Sequence, residues 1–214
     1  MDEPLAALAA RIRHCRICVE APLGKPLPHE PRPVVVPSSS AKILIAGQAP
    51  GTKVHASGLP FDDASGDRLR DWLGVGRAQF YDPALFAIAP MGFCFPGQDI
   101  RGSDLPPRRE CAPAWRGELM AAMPQIELVL AIGLYAQAWH LPRSRQRRSL
   151  TDTVADWRTV IASGVSPKVL PLPHPSWRNT AWIRRHPWFE TELLAFLRAE
   201  VARLSEADTR KNTS

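Results

Sequence analysis

Four short apolar runs, each closed by a glycine or a proline, constrain this chain more than any other feature. Lys42–Ala46 ends at Gly47, Leu85–Ala89 at Pro90, Ile126–Ile132 at Gly133 and Lys168–Leu172 at Pro173. Runs of this length without polar alternation fit strands buried on both faces. Helical spacings lie around and between them. Leu5, Leu8, Ala9 and Ile12 share one face of Leu5–Arg13. In Ser65–Leu73, Ser65 is placed as an N-cap and Leu69, Trp72 and Leu73 form the apolar side. Leu134–His140 has a helical pattern, and from Pro187 to Leu204 the residues Phe189, Leu193, Phe196, Leu197, Val201 and Leu204 recur at mixed three- and four-residue steps. Strands alternating with helices predict a three-layer α/β/α sandwich around a central four-stranded, mainly parallel sheet. Such sheets bind ligands at the carboxyl ends of their strands, so the loops starting at Gly47, Pro90, Gly133 and Pro173 are expected to share one cleft.

Composition narrows the class. A chain of 214 residues, 45% of them apolar, can bury one full core, so a single domain over residues 1–204 is expected, with a polar tail over 205–214 that frays. The 22 prolines gather in Pro22–Pro37 and Pro90–Pro113, which predicts long ordered loops there. Lysine and arginine number 27 against 21 acidic residues, and a pI near 9.5 favours a polyanionic partner. No apolar run approaches the roughly 18 residues of a membrane span. Met-Asp-Glu-Pro at the start lacks the basic-then-apolar order of a signal peptide, so a soluble, cytoplasmic protein is expected. Neither a P-loop nor a dinucleotide glycine fingerprint is present, which argues against a nucleotide cofactor.

Cys15 and Cys18 form a C-x-x-C pair, and Cys94 and Cys111 are the only other cysteines. Where thiols stay reduced, this usage suggests a shared metal before a disulfide framework. Tetrahedral thiolate ligation suits zinc or an iron–sulfur cluster, and spacing alone does not choose between them. The competing reading is four unrelated buried thiols with a chance C-x-x-C.

Gly47-Gln48-Ala49-Pro50-Gly51 after the first strand and His174-Pro175-Ser176 after the last resemble the two motifs of the uracil-DNA glycosylase superfamily. The segment from Ser57 through Gly58-Leu59-Pro60-Phe61-Asp62-Asp63-Ala64 to Ser65 is similar to its G-x-P-F stretch. The cysteine spacing is similar to that of the iron–sulfur members, families 4 and 5. The resemblance implies a structural 4Fe–4S cluster on Cys15, Cys18, Cys94 and Cys111, with DNA containing damaged or deaminated bases as partner. Two departures stand out. Ala49 occupies the place of the water-orienting Asp in members with G-Q-D-P; family 5 is also apolar there and has an Asp that aligns with Asp63. Pro90 stands where family 4 has a base-reading Asn. Residues 95–110 contain no His, unlike the branch that captures DNA covalently.

The chemistry assigns duties to these positions. A flipped base must be stacked and hydrogen-bonded, which nominates Phe61, the Gln48–Ala49 loop and Asn179. Cleavage develops positive charge on the sugar and negative charge on the leaving base. Asp63 or Asp62 is the candidate for the first and His174 for the second. Ser176, Trp177 and Arg178 are placed on DNA beside His174, with Arg145, Arg147 and Arg148 as a second basic loop. Each has an ordinary alternative: a core phenylalanine, a helix-terminal aspartate, a loop histidine, a solvated charge run. The function predicted is hydrolysis of the base–deoxyribose bond. The alternative is a non-catalytic nucleic-acid-binding domain of the same fold.

Overall fold

The computed structural model describes residues 3–146 and 149–209. In chain order it contains α1 (Glu3–Arg13), α2 (Ile17–Glu20), β1 (Ile43–Ala46), α3 (Thr52–Ser57), α4 (Ala64–Leu73), α5 (Arg77–Phe80), β2 (Phe86–Ile88), α6 (Cys111–Ala121), β3 (Leu128–Ile132), α7 (Gly133–His140), α8 (Leu150–Ala155), α9 (Trp157–Ile161), β4 (Lys168–Leu172), α10 (Thr180–Arg185) and α11 (Leu194–Thr209).

The strands form one all-parallel sheet in the order β2-β1-β3-β4, with Ile43 beside Phe86 on one side and Leu128 on the other, and Leu128 beside Lys168. Strand residues alternate between two cores, as a pleated sheet requires. Ile43, Ile45, Phe86, Ile88, Leu128, Leu130, Ile132, Leu170 and Leu172 face α4 and α11, where Leu69, Trp72, Leu73, Leu197 and Val201 complete the packing. Leu44, Ala46, Ala87, Ala89, Val129, Ala131 and Val169 face α1 and α6 through Leu5, Leu8, Ile12, Trp115 and Leu119. Helices therefore cover both faces, the predicted sandwich. Strand order reverses at β1, so the crevice beyond its carboxyl end is where a ligand would bind.

Three details differ from expectation. The helix after Phe61 begins at Ala64, capped not by Ser65 but by Asp63, whose Oδ1 accepts from Gly66 N–H at 2.9 Å. The long C-terminal helix opens with a π turn over Phe189–Leu193 before α11; the five-residue hydrogen-bond step explains the mixed apolar spacing. Finally, α11 continues to Thr209, past the predicted start of a frayed tail at 205.

Candidate active site

A cleft of about 710 Å³ opens at the carboxyl end of β1. Gly47, Gln48, Ala49, Pro50 and Gly51 form its floor. Phe61, Asp63, Pro90, His174, Ser176, Trp177, Arg178 and Asn179 also line it. Of the four loops expected to meet, those after Gly47, Pro90 and Pro173 do so. The Gly133 loop does not: α7 starts directly at Gly133, with φ +80°, leaving no free loop to reach the cleft.

The chain is bent sharply at Phe61, which has φ +56°, a left-handed conformation uncommon outside glycine. A Cβ added to Gly66 would come 1.8 Å from the Phe61 carbonyl oxygen, so only glycine lets this turn close against α4. The turn aims the Phe61 ring at the glycine motif, 3.2 Å from where a Cβ on Gly47 would sit, while Phe80 meets the same ring edge-on at 6.0 Å.

The two adjacent aspartates part company. Asp62 accepts from Arg77 Nη2 at 3.0 Å, a bond that holds its carboxyl below the ordinary range. It is not among the cleft-lining residues, whereas Asp63 is. Across the cleft, burial holds the His174 imidazole below its ordinary value, while Asp63 and Asp104 pull the other way. The ring is therefore neutral near pH 7 and retains an N–H to donate. Asn179 Nδ2 donates to the His174 carbonyl at 2.7 Å, which fixes the backbone of this loop. Arg68, from α4, donates to the Ser176 carbonyl at 2.9 Å and to Thr180 Oγ1 at 3.1 Å. The helix capped by Asp63 is thereby tied to the loop carrying His174.

Trp177 is 74% exposed at the cleft mouth, with the Arg178 guanidinium 5.8 Å from its ring centre. Trp182, by contrast, packs against the core and donates to Thr151 Oγ1. Arg145 ends a short 3₁₀ turn, Arg143–Arg145, and is half-buried away from the cleft lining. Arg147 and Arg148 lie outside the described residues. Sequence reasoning passed over Lys53, Gln98 and Asp104, which also line the cleft. The turn-rich Gly97–Leu105 stretch was the available signal for the last two. Arg68 offered none, since its partners are more than a hundred residues away.

All four cysteines border a second, small cavity together with Ile17, Pro33, Phe93, Arg108, Glu110 and Trp115. All four are free thiols. Trp115 Nε1 donates to Cys15 Sγ at 3.2 Å and Phe93 N–H to Cys111 Sγ at 3.3 Å, bonds that favour thiolates. Burial drives the Cys94 thiol upward and the Cys111 thiol up to about 12. Arg116, fully buried, donates to the carbonyls of Ala89 and Pro90 and has Nε and Nη1 without partners. Burial lowers its pKa to about 10, and Cys111 acts against this as a nearby negative charge. Thiolates held by a metal or cluster would supply the anion that this guanidinium lacks, so the donor set fits such a group. Among the described residues, no group of three or more His, Cys, Asp or Glu side chains is arranged to hold a single metal ion.

A family model described as the uracil DNA glycosylase superfamily matches residues 33–198, a span that includes the whole sheet and every residue of the cleft. The chain belongs to the uracil DNA glycosylase superfamily. Membership suggests a glycosylase hydrolase acting on DNA. It accounts for the juxtaposition of the Gly47 motif with His174-Pro175-Ser176 across one crevice. The match begins after Cys15 and Cys18, so it carries no statement about the cysteine cavity of this superfamily member. No helix among the described residues is long and apolar enough to cross a membrane.

Proposed function

We propose that this protein is a monofunctional glycosylase that hydrolyses the N-glycosidic bond of uracil or a related deaminated base in DNA, leaving an abasic site. One observation carries the reading: Asp63 and a neutral His174 line the same cleft as Phe61, while Asp62 is engaged by Arg77 outside it.

A base rotated out of the stack would lie on Phe61, between the Gln48–Ala49 backbone and the His174 loop. As the bond from C1′ to the base nitrogen lengthens, positive charge grows on the sugar and negative charge on the base. The Asp63 carboxylate stabilises the first and the His174 N–H the second. Water then adds hydroxide to C1′, and its proton ends on the departing base. Asn179 acts here by holding the His174 backbone. Trp177, Ser176 and Arg178 meet the strand at the mouth, with Arg145 as a more distant phosphate contact. Cys15, Cys18, Cys94 and Cys111 would hold a 4Fe–4S cluster that cross-links the segment after α1 to the loops flanking α6. When bound, that group supplies structural cohesion and negative charge beside Arg116.

Excision is tested with uracil-containing oligonucleotides under single-turnover conditions. Strand breakage only after alkali is expected. Breakage without alkali would contradict the monofunctional assignment, and intact strands after alkali would favour the second reading, a non-catalytic DNA-binding domain, which Ala49 in the first motif motivates. About four irons per chain with matching sulfide are expected in the purified protein; one zinc would overturn the cluster.

A further inference from the structure

The segment between Pro96 and Leu105 folds as a small hairpin on one wall of the cleft. Gln98 pairs with Asp104 in antiparallel fashion, Asp99 N–H donates to the Ser103 carbonyl at 2.9 Å and Leu105 N–H to the Gly97 carbonyl at 2.9 Å. The tip is built from within. Asp99 Oδ1 accepts from the N–H groups of Arg101 and Ser103 at 2.8 and 2.9 Å, and Gln98 Nε2 donates to the Gly102 carbonyl and Asp104 Oδ1. Gly102, at φ +73°, reverses the chain. What this framework presents is Ile100, fully exposed, followed by the exposed Arg101.

A scattered surface isoleucine needs no explanation. This one differs in three respects. It stands at a turn apex, where polar residues and glycine are the usual occupants. Its side chain is β-branched, so little rotamer freedom would be lost on insertion. And its neighbours Gln98 and Gly102 line the cleft, which places Ile100 at a mouth whose other border carries exposed Trp177. Two apolar points beside two arginines, on separate walls of one crevice, match the two strands of a duplex. Asp99 is turned inward onto its own hairpin, and Asp104 faces the cleft beside Gly51, so neither stands between the tip and DNA.

We infer that Ile100 is a wedge for duplex DNA that enters the stack opposite the flipped nucleotide and supports the orphaned partner base, while Trp177 serves the lesion strand. The inference rests on the glycosylase reading for its rate assay and on DNA binding alone for its spectroscopic assay. Insertion holds open a step that would otherwise re-stack, as apolar wedges do in other DNA-bending proteins.

The test compares parent and Ile100→Ala on one uracil-containing oligonucleotide, single-stranded and annealed. Because the side chain touches nothing in the protein, the variant should keep its melting temperature. Single-turnover excision from the duplex should fall about tenfold, with the single strand unchanged within about twofold. In parallel, 2-aminopurine opposite the uracil should brighten when the parent binds and stay quenched with Ile100→Ala. An unchanged duplex-to-single-strand ratio, equal brightening with both proteins, or a parent that acts on single strands alone would each overturn the wedge. Absence of excision on both substrates would instead defeat the glycosylase reading, and the fluorescence comparison would still decide the wedge.

Discussion

Asp63 is at once a helix cap and a wall of the cleft, and the two duties can be separated. Its Oδ1 accepts from Gly66 N–H, a bond that asparagine makes equally well at an N-cap. Asp63→Asn should therefore keep the fold and remove only the charge. If that charge stabilises a cationic sugar, single-turnover excision should drop by a factor of about 10² to 10³, with affinity for abasic DNA nearly unchanged. Asp63→Ala should lose the same activity and about 1 kcal/mol of stability besides. Asp62→Asn loses only an exposed pair with Arg77 and should excise near the parent rate. An active Asp63→Asn beside a dead Asp62→Asn would move the carboxylate by one position. Sequence brought both aspartates into view and left the choice open, because two adjacent residues share every motif argument. What separates them is that one reaches Arg77, fifteen residues on, while the other turns to cap α4.

The turn that places Phe61 shows what an element-level constraint looks like. Phe61 adopts a left-handed backbone, and its carbonyl lies where any side chain at position 66 would begin. Gly66→Ala should force this turn open and displace Phe61 from Gly47. The expected cost is about 1–3 kcal/mol, read as a lower denaturation midpoint, together with loss of excision. A variant with parent stability and activity would show that the turn yields freely. The strands and long helices were legible because each apolar run or stripe is longer than chance allows. By contrast, α2, α5, α8, α9 and α10 span only four to six residues, too few to show a period. α6 escaped notice too, since its Cys-Ala-Pro-Ala-Trp start carries no cap signal and its buried face includes Arg116. The cleft was placed by its two motifs, whereas the hairpin at Gln98–Asp104 and the tie from Arg68 depend on partners that only folding brings near.

Across the whole molecule, several histidines are buried as neutral rings, and this makes the fold acid-sensitive before its carboxylates titrate. Burial lowers His55, to which His29 and Arg32 add; it lowers His174; and it lowers His140 to about 3, with Arg116 adding to the effect. His140 Nε2 is buried without a partner. Each of these rings takes a proton in the unfolded chain near the ordinary value of 6.5 and resists it when folded. Unfolded molecules thus bind more protons, and stability rises with pH through the interval between the two values. Their contribution is complete above 6.5 and is lost as pH falls below it. The depressed carboxylates Glu30, Asp62 and Glu200 have their losses at lower pH, through surface pairs that contribute little. Unfolding free energy should therefore decline from pH 6.5 toward pH 5, by roughly 2 kcal/mol at pH 5 from His140 alone. His140→Phe removes both the titrating ring and the orphaned nitrogen, so the parent-minus-variant difference should grow over that interval. Any acid loss of a metal group at the cysteines is common to both proteins and cancels in the difference. Parallel curves for parent and His140→Phe would mean that the imidazole is protonated as easily in the folded protein as in the unfolded chain.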